Sequence, residues 1–192
     1  MKRKILILFA IIIIGTITKN VDAQSLQFIK SYYSVSQCNY CNLMKGKFKE
    51  ADLNNDGTID VSEIRTFQAW LTKNYDYKQN LKSIPPDDFI LQNGGDCEDF
   101  AAMTCCLLNY YGIVAYVATF GKVTVNKHAV CMVKVNLSSY PGMLIYSLQG
   151  YGVPNGYYMP IDYNKIGGLS AIDRRWKIAS MSKPNNMFYT VQ

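Results

Sequence analysis

Histidine is nearly absent from this chain. Of 192 residues, only His128 carries an imidazole, so chemistry that needs a base at neutral pH has one such ring to draw on. Carboxylates are few as well, 14 against 20 Lys and Arg, for a net charge of +6. Part of the excess sits in Lys2, Arg3 and Lys4. No dense Lys/Arg cluster interleaves with aromatics, which argues against nucleic-acid binding. There is no internal repeat and no low-complexity tract. A hydrophobic content of 49% allows a real core and argues against wholesale disorder. The length suits one substantial domain, or one small motif plus one domain. Tyrosine is abundant, with 15 residues, and such rings favour half-buried or groove-lining positions.

The N-terminus reads as a signal peptide over residues 1–23. Lys2, Arg3 and Lys4 form a basic start, Ile5 to Gly15 an apolar run, and Val21-Asp22-Ala23 a small-residue cleavage site. The run is shorter than the roughly 20 residues that span a bilayer. No second long apolar segment follows. The expectation is a secreted or periplasmic protein with no integral membrane segment after cleavage.

Export changes the reading of the six cysteines, because an oxidising compartment permits disulfides. Cys38 and Cys41 form a lone C-x-x-C. Without a second pair at ligand spacing it is weak evidence for zinc or redox chemistry, and a local or long-range disulfide is favoured. Cys105 and Cys106 lie in an apolar stretch and read as small buried hydrophobes.

Residues 52–63 carry oxygen donors in a fixed pattern. Asp52, Asn54 and Asp56 alternate, Gly57 permits a sharp turn, and Thr58 offers its carbonyl. Asp60 takes the ninth place, and Glu63 closes the loop as a bidentate ligand. Calcium wants six to eight such oxygens. Before the loop, Leu43, Met44, Phe48 and Ala51 recur near helical spacing; after it, Ile64, Phe67, Trp70 and Leu71 do the same. The segment resembles the EF-hand family over roughly residues 41–74. The resemblance implies bound Ca2+, held by Asp52, Asn54, Asp56, Thr58, Asp60 and Glu63. Only one such loop is visible. It must therefore pack on a degenerate partner, a second molecule or the neighbouring domain. A structural role is expected rather than a sensing one.

Residues 75–90 read as a linker, since Pro85-Pro86 cannot continue a helix. Gly94-Gly95 then turns the chain into Asp96, an N-cap candidate. The apolar pattern from Phe100 to Tyr111 fits a largely buried helix that stops at Gly112. Cys97 falls in its first turn, where a helix end favours an anion and assists thiol ionisation. Residues 113–120 read as a strand, and 127–135 as another that opens with His128. A turn at 138–142 leads to a third strand, 143–148. Residues 151–161, rich in Tyr, Gly and Pro, read as a substrate-contacting loop or an irregular wall over the core. Residues 172–179 read as a last strand or a short helix.

The blocks G-D-C-E-D-F-A-A, G-I-V-A-Y-V and H-A-V-C-M-V resemble the transglutaminase-like cysteine peptidase superfamily, papain-like in architecture, over roughly residues 80–165. The resemblance implies an α+β fold: a helix carrying Cys97 on an antiparallel sheet, preceded by the EF-hand helix-loop-helix. It divides the mature chain into a helical segment, 24–75, and a transglutaminase-like domain, 76–192. It also implies a triad of Cys97, His128 and an Asp on the following strand. No Asp or Glu occurs in 143–150. Ser147 lies nearest the expected place, Gln149 is next, and Asp162 is a carboxylate one segment further on. A neutral orienter is chemically possible but stabilises an imidazolium less than a carboxylate does.

The activity implied is acyl transfer on a protein or peptide substrate through a thioester, with hydrolysis favoured over cross-linking. Two alternatives stand beside it. One is a non-catalytic calcium-dependent binding module that keeps the fold. The other is thiol–disulfide exchange at Cys38 and Cys41.

Overall fold

The structure is a computed structural model that describes residues 25–31, 41–79, 82–122, 125–163, 165–169 and 177–183. The expected signal peptide, Cys38 and residues 172–176 lie outside the described residues.

A 3-10 turn at Asn42–Met44 runs into α1 (Lys45–Ala51). Helical geometry ends at Asp52, and a loop leads to α2 (Val61–Asn74). Asp60 starts α2 with a capping box: its side chain accepts from the Glu63 N–H at 2.9 Å, and the Glu63 carboxylate accepts from the Asp60 N–H at 2.9 Å. These reciprocal bonds satisfy donors that a helix start leaves open. Ile64, Phe67, Gln68 and Leu71 are the buried face of α2, spaced as one stripe of a 3.6-residue helix.

The expected linker contains structure. Strand β1 (Asp76–Tyr77) pairs in parallel with β2 (Gly94–Gly95), and α3 (Pro86–Leu91) lies between them. Pro86 opens α3 rather than breaking one, since the first helical position needs no N–H. Helix α4 (Cys97–Tyr110) follows, buried continuously from Asp99 to Asn109. Gly112, at φ +72, turns the chain out of it.

The sheet has the order β5 (Tyr146–Leu148), β6 (Gly156–Asp162), β4 (Val125–Val135), β3 (Ala115–Lys122), β8 (Lys177–Ser182), with β7 (Lys165–Ile166) on β6. Every pairing in it is antiparallel. Half of the expected loop 151–161 is therefore β6, which lies directly against β4. The tyrosines Tyr157 and Tyr158 alternate outward and inward along it.

One face of the sheet packs on α4, and α4 packs in turn on α1 and α2. Phe48, Ile59, Ile64 and Leu71 share a single core with Leu108, Val117, Cys131 and Val133. Burial of each such side chain contributes about 1.5–3 kcal/mol. The helix-loop-helix thus has α4 as its neighbour: the Tyr111 hydroxyl donates to the Phe48 carbonyl at 2.8 Å, and the Gln68 amide donates to the Thr104 hydroxyl. The opposite sheet face carries a second cluster around Phe120, Met132 and Tyr158. Among the described residues, no helix is long and apolar enough to cross a membrane.

Candidate active site

The Gly94-Gly95-Asp96-Cys97 run is dictated by close packing. Gly94 adopts φ +127, and a Cβ there would overlap the Asp76 carbonyl on β1. A Cβ on Gly95 would overlap the Asp99 carboxylate. That carboxylate is buried. It accepts from the Asp96 N–H at 2.9 Å and the Ile84 N–H at 2.9 Å. Asp96 in turn accepts from the Glu98 N–H at 3.0 Å, and the Ser83 hydroxyl donates to Glu98. The acidic residues after the cysteine therefore staple the start of α4 to the preceding segment. Cys97 becomes the first residue of a rigidly capped helix.

Its partners come from the sheet. The Ala129 N–H donates to the Cys97 sulfur at 3.4 Å, which puts the thiol against the strand that carries His128. His128 Nε2 lies 2.8 Å from Asp162 Oδ1. Asp162 ends β6, the strand beside β4, and is buried. Burial alone pulls the His128 pKa down. Hydrogen bonds to Asp162 and Cys97, with the charges on both, outweigh it and raise the pKa from 6.5 to about 9. Among the expected third residues it is thus Asp162 that meets the ring. Ser147 sits exposed on β5, with β6 between it and β4. Gln149 is exposed just beyond β5. The cleft lined by Cys97, Phe100, Thr104, His128, Asp162 and Tyr163 encloses about 10 Å³, room for one water at most.

Residues 50–158 match the family described as Transglutaminase-like superfamily. The chain belongs to that superfamily. A transglutaminase-like fold thus accounts for the capped helix on its antiparallel sheet. No curated protein matches the chain. Several solved structures resemble it at low identity. A candidate cysteine protease from Cytophaga hutchinsonii is 16% identical over 67% of this chain, with a TM-score of 0.44; the chain spans 39% of that protein's length. Calcium-bound LapG from Legionella pneumophila is 19% identical, covering 70% of this chain and 71% of LapG, with a TM-score of 0.45. EGTA-treated LapG is 16% identical, covering 83% and 94%, with a TM-score of 0.42.

One contributor to this transglutaminase-like site had no sequence signal. Tyr77, inside the expected linker, lies opposite Gly95, two residues before Cys97, and its ring stacks on Phe100, which lines the cleft. Burial and the neighbouring Cys97 and Asp96 charges raise its pKa. A two-residue strand has no periodicity to announce it.

The other cysteines stand apart. Cys41 is a buried thiol whose pKa burial pushes up to about 12, a setting opposed to thiol–disulfide exchange. Cys105 and Cys131 are buried thiols 2.9 Å apart, sulfur to sulfur. Cys106 is disulfide-bonded rather than a plain buried hydrophobe.

The loop from Asp52 to Glu63 is wound on its own side chains. Asp52 accepts from the Asp56 N–H at 3.1 Å and the Gly57 N–H at 2.9 Å. Asn54 accepts from the Asp56 N–H at 2.9 Å, and Asp56 from the Thr58 N–H at 2.9 Å. Gly57, at φ +75, makes the turn. Buried Glu63 accepts from the Leu53 N–H at 2.8 Å. Among the described residues, no three His, Cys, Asp or Glu side chains are gathered to hold a metal. The loop's donor set is of another kind, mixing carboxylates with the Asn54 amide and the Thr58 carbonyl. Its all-oxygen chemistry fits a hard cation.

Proposed function

We propose that this protein is an exported, calcium-binding cysteine hydrolase that cleaves a peptide or amide bond through a thioester on Cys97. The observation that carries the reading is the 2.8 Å contact of His128 with buried Asp162, on the strand whose Ala129 N–H touches the Cys97 sulfur. A buried carboxylate on the imidazole holds its orientation and stabilises the imidazolium. A charged His128 beside Cys97 favours the thiolate, the attacking form.

In the first step the Cys97 sulfur attacks the substrate carbonyl carbon, and the oxygen takes the π electron pair. The Cys97 backbone N–H, free of any intrahelical partner at the helix start, donates to that oxyanion. Collapse breaks the C–N bond, and the leaving amine takes the proton held on His128. Water then adds to the thioester, with His128 removing its proton. The C–S bond breaks, the acid is released, and the Cys97 thiolate is restored beside the protonated His128. Asp162 keeps its negative charge throughout.

Calcium would be held by Asp52, Asn54, Asp56, the Thr58 carbonyl, Asp60 and Glu63. It would neutralise the loop carboxylates and brace α1 against α2. Because both helices pack on α4, that bracing would bear on the element that carries Cys97.

The first test is iodoacetamide labelling of the mature protein at pH 6–7, with and without calcium, mapped by peptide mass. Preferential labelling of Cys97, weakened by His128→Ala, is the expected outcome. A Cys97 that stays inert in both conditions would sink the enzyme reading in favour of a calcium-stabilised binding module.

A further inference from the structure

Cys105 and Cys131 are thiols that the proposed mechanism leaves without a task. Their sulfurs lie 2.9 Å apart inside the main core, and neither residue is exposed to solvent. The faces of the two elements explain the meeting. On α4, Cys97, Ala101 and Cys105 recur every four residues and so share one face. On β4, Ala129, Cys131 and Val133 pack in the core with α4, while Val130 and Met132 point to the opposite sheet face. The same helix face therefore meets the same strand face twice. At one end the Ala129 N–H donates to the Cys97 sulfur at 3.4 Å. At the other, about 12 Å further along the helix, Cys105 meets Cys131. Bonded sulfurs are about 2.0 Å apart, so the two thiols stand about 0.9 Å short of a covalent bond. The next residue on α4, Cys106, is already disulfide-bonded.

We propose that Cys105 and Cys131 are oxidised to a buried disulfide that ties the helix of Cys97 to the strand of His128. The inference rests on the export in the reading above, because an oxidising compartment supplies the oxidant, an external disulfide. It does not draw on the hydrolysis. The bond forms by two exchanges. One protein thiolate attacks the external disulfide, R–S–S–R, and releases one R–S⁻. The other protein thiolate attacks the protein sulfur of that mixed disulfide and releases the second R–S⁻. Two protein thiols are oxidised, one external disulfide is reduced to two thiols, and the two protons pass to them. In the folded chain, burial and the neighbouring Cys131 hold the Cys105 thiol protonated, and the core excludes the oxidant. The exchange therefore belongs to folding, before the core closes. After closure the same burial shields the bond from reductant. Because the two cysteines are 26 residues apart in sequence, the bond also restricts the unfolded chain.

The test refolds the full mature chain from denaturant with glutathione disulfide as the oxidant. The product is unfolded, its free thiols are blocked with N-ethylmaleimide, and it is digested with trypsin without reductant. Lys127 and Lys134 release Cys131 in peptide 128–134, and Lys82 and Lys122 release Cys105 in peptide 83–122. The expected result is that the two peptides are linked, with fragmentation placing the link at Cys105. Cys105→Ala should leave Cys131 free and blocked by N-ethylmaleimide. The fall in Tm on reduction should be larger in wild type than in Cys105→Ala by roughly 7–14 °C. A wild-type Cys131 that takes up N-ethylmaleimide, a link at Cys97 or Cys106, or equal falls in Tm would each overturn the inference. An inert Cys97 sinks the hydrolase reading and leaves this bond standing; a blocked Cys131 sinks this bond and leaves the hydrolase reading standing.

Discussion

His128 and Asp162 are 34 residues apart in sequence and 2.8 Å apart in space. They lie on adjacent antiparallel strands, and the carboxylate is buried while the imidazole side chain keeps 16% of its surface exposed. A charged imidazole is the natural partner of such a carboxylate, since a lone buried charge is costly. Asp162→Asn should therefore lower kcat/KM by about 10²–10⁴-fold, as when a triad imidazole loses its carboxylate. It should also slow alkylation of Cys97 at pH 7. A variant with unchanged kinetics would remove Asp162 from the mechanism.

The same pair sets a pH dependence. The folded-state pKa of His128 lies above its ordinary 6.5, at about 9. Its contribution to stability is fully present below about 6.5 and is lost as pH rises through about 9. Thermal melts between pH 6 and pH 10 should show the midpoint falling across that window. His128→Ala should flatten that slope, and an equal slope in both proteins would contradict the assignment.

Calcium should act on the fold through the helix-loop-helix. A ligand that binds only the native state at 100 times its Kd adds about 2.7 kcal/mol. In a domain of this size that amounts to a rise in Tm of roughly 5–11 °C. EGTA should reverse the rise. Asp56→Ala removes a loop oxygen at an exposed position while leaving the Asp60–Glu63 capping box intact, so it should abolish the calcium response. Identical melts in calcium and EGTA would exclude the site.

Gly94→Ala tests the close approach of β1 to β2. The added Cβ meets backbone rather than a flexible side chain, at a φ that other residues rarely adopt. A loss of about 3 kcal/mol or more is expected, in the tail reserved for such strain. Urea denaturation measures it. A loss under about 1 kcal/mol would mean that the two short strands separate at little cost.

Cys41 should resist iodoacetamide at pH 7, because its thiol is buried and pushed up to about 12. Facile labelling of Cys41 in the native protein would reopen the C-x-x-C as a reactive pair.

Local sequence was enough where a feature depends on neighbours along the chain. The capped start at Asp96, the placement of Cys97 in a first turn, the oxygen pattern of 52–63 and the strands at His128 are all short-range matters of periodicity and turn chemistry. The acid that meets His128 was not legible in the same way. An acid was expected on the strand after His128, yet β5 is an edge strand. The strand that pairs with β4 is β6, from a stretch rich in Tyr, Gly and Pro that gave no alternating signal. Sheet order brings Asp162 to His128, and sheet order is a long-range property.

The sequence by itself determined the helix that opens with Cys97, the single imidazole and the oxygen-donor pattern of residues 52–63, since each is encoded in contiguous residues. Only the tertiary structure decided that Asp162 rather than Ser147 or Gln149 meets the imidazole. It also decided that α4 is the neighbour of the helix-loop-helix, and that Tyr77 lies opposite Gly95, two residues before Cys97. Each of those depends on which surfaces bury one another, and that is fixed by packing across the whole core rather than along the chain.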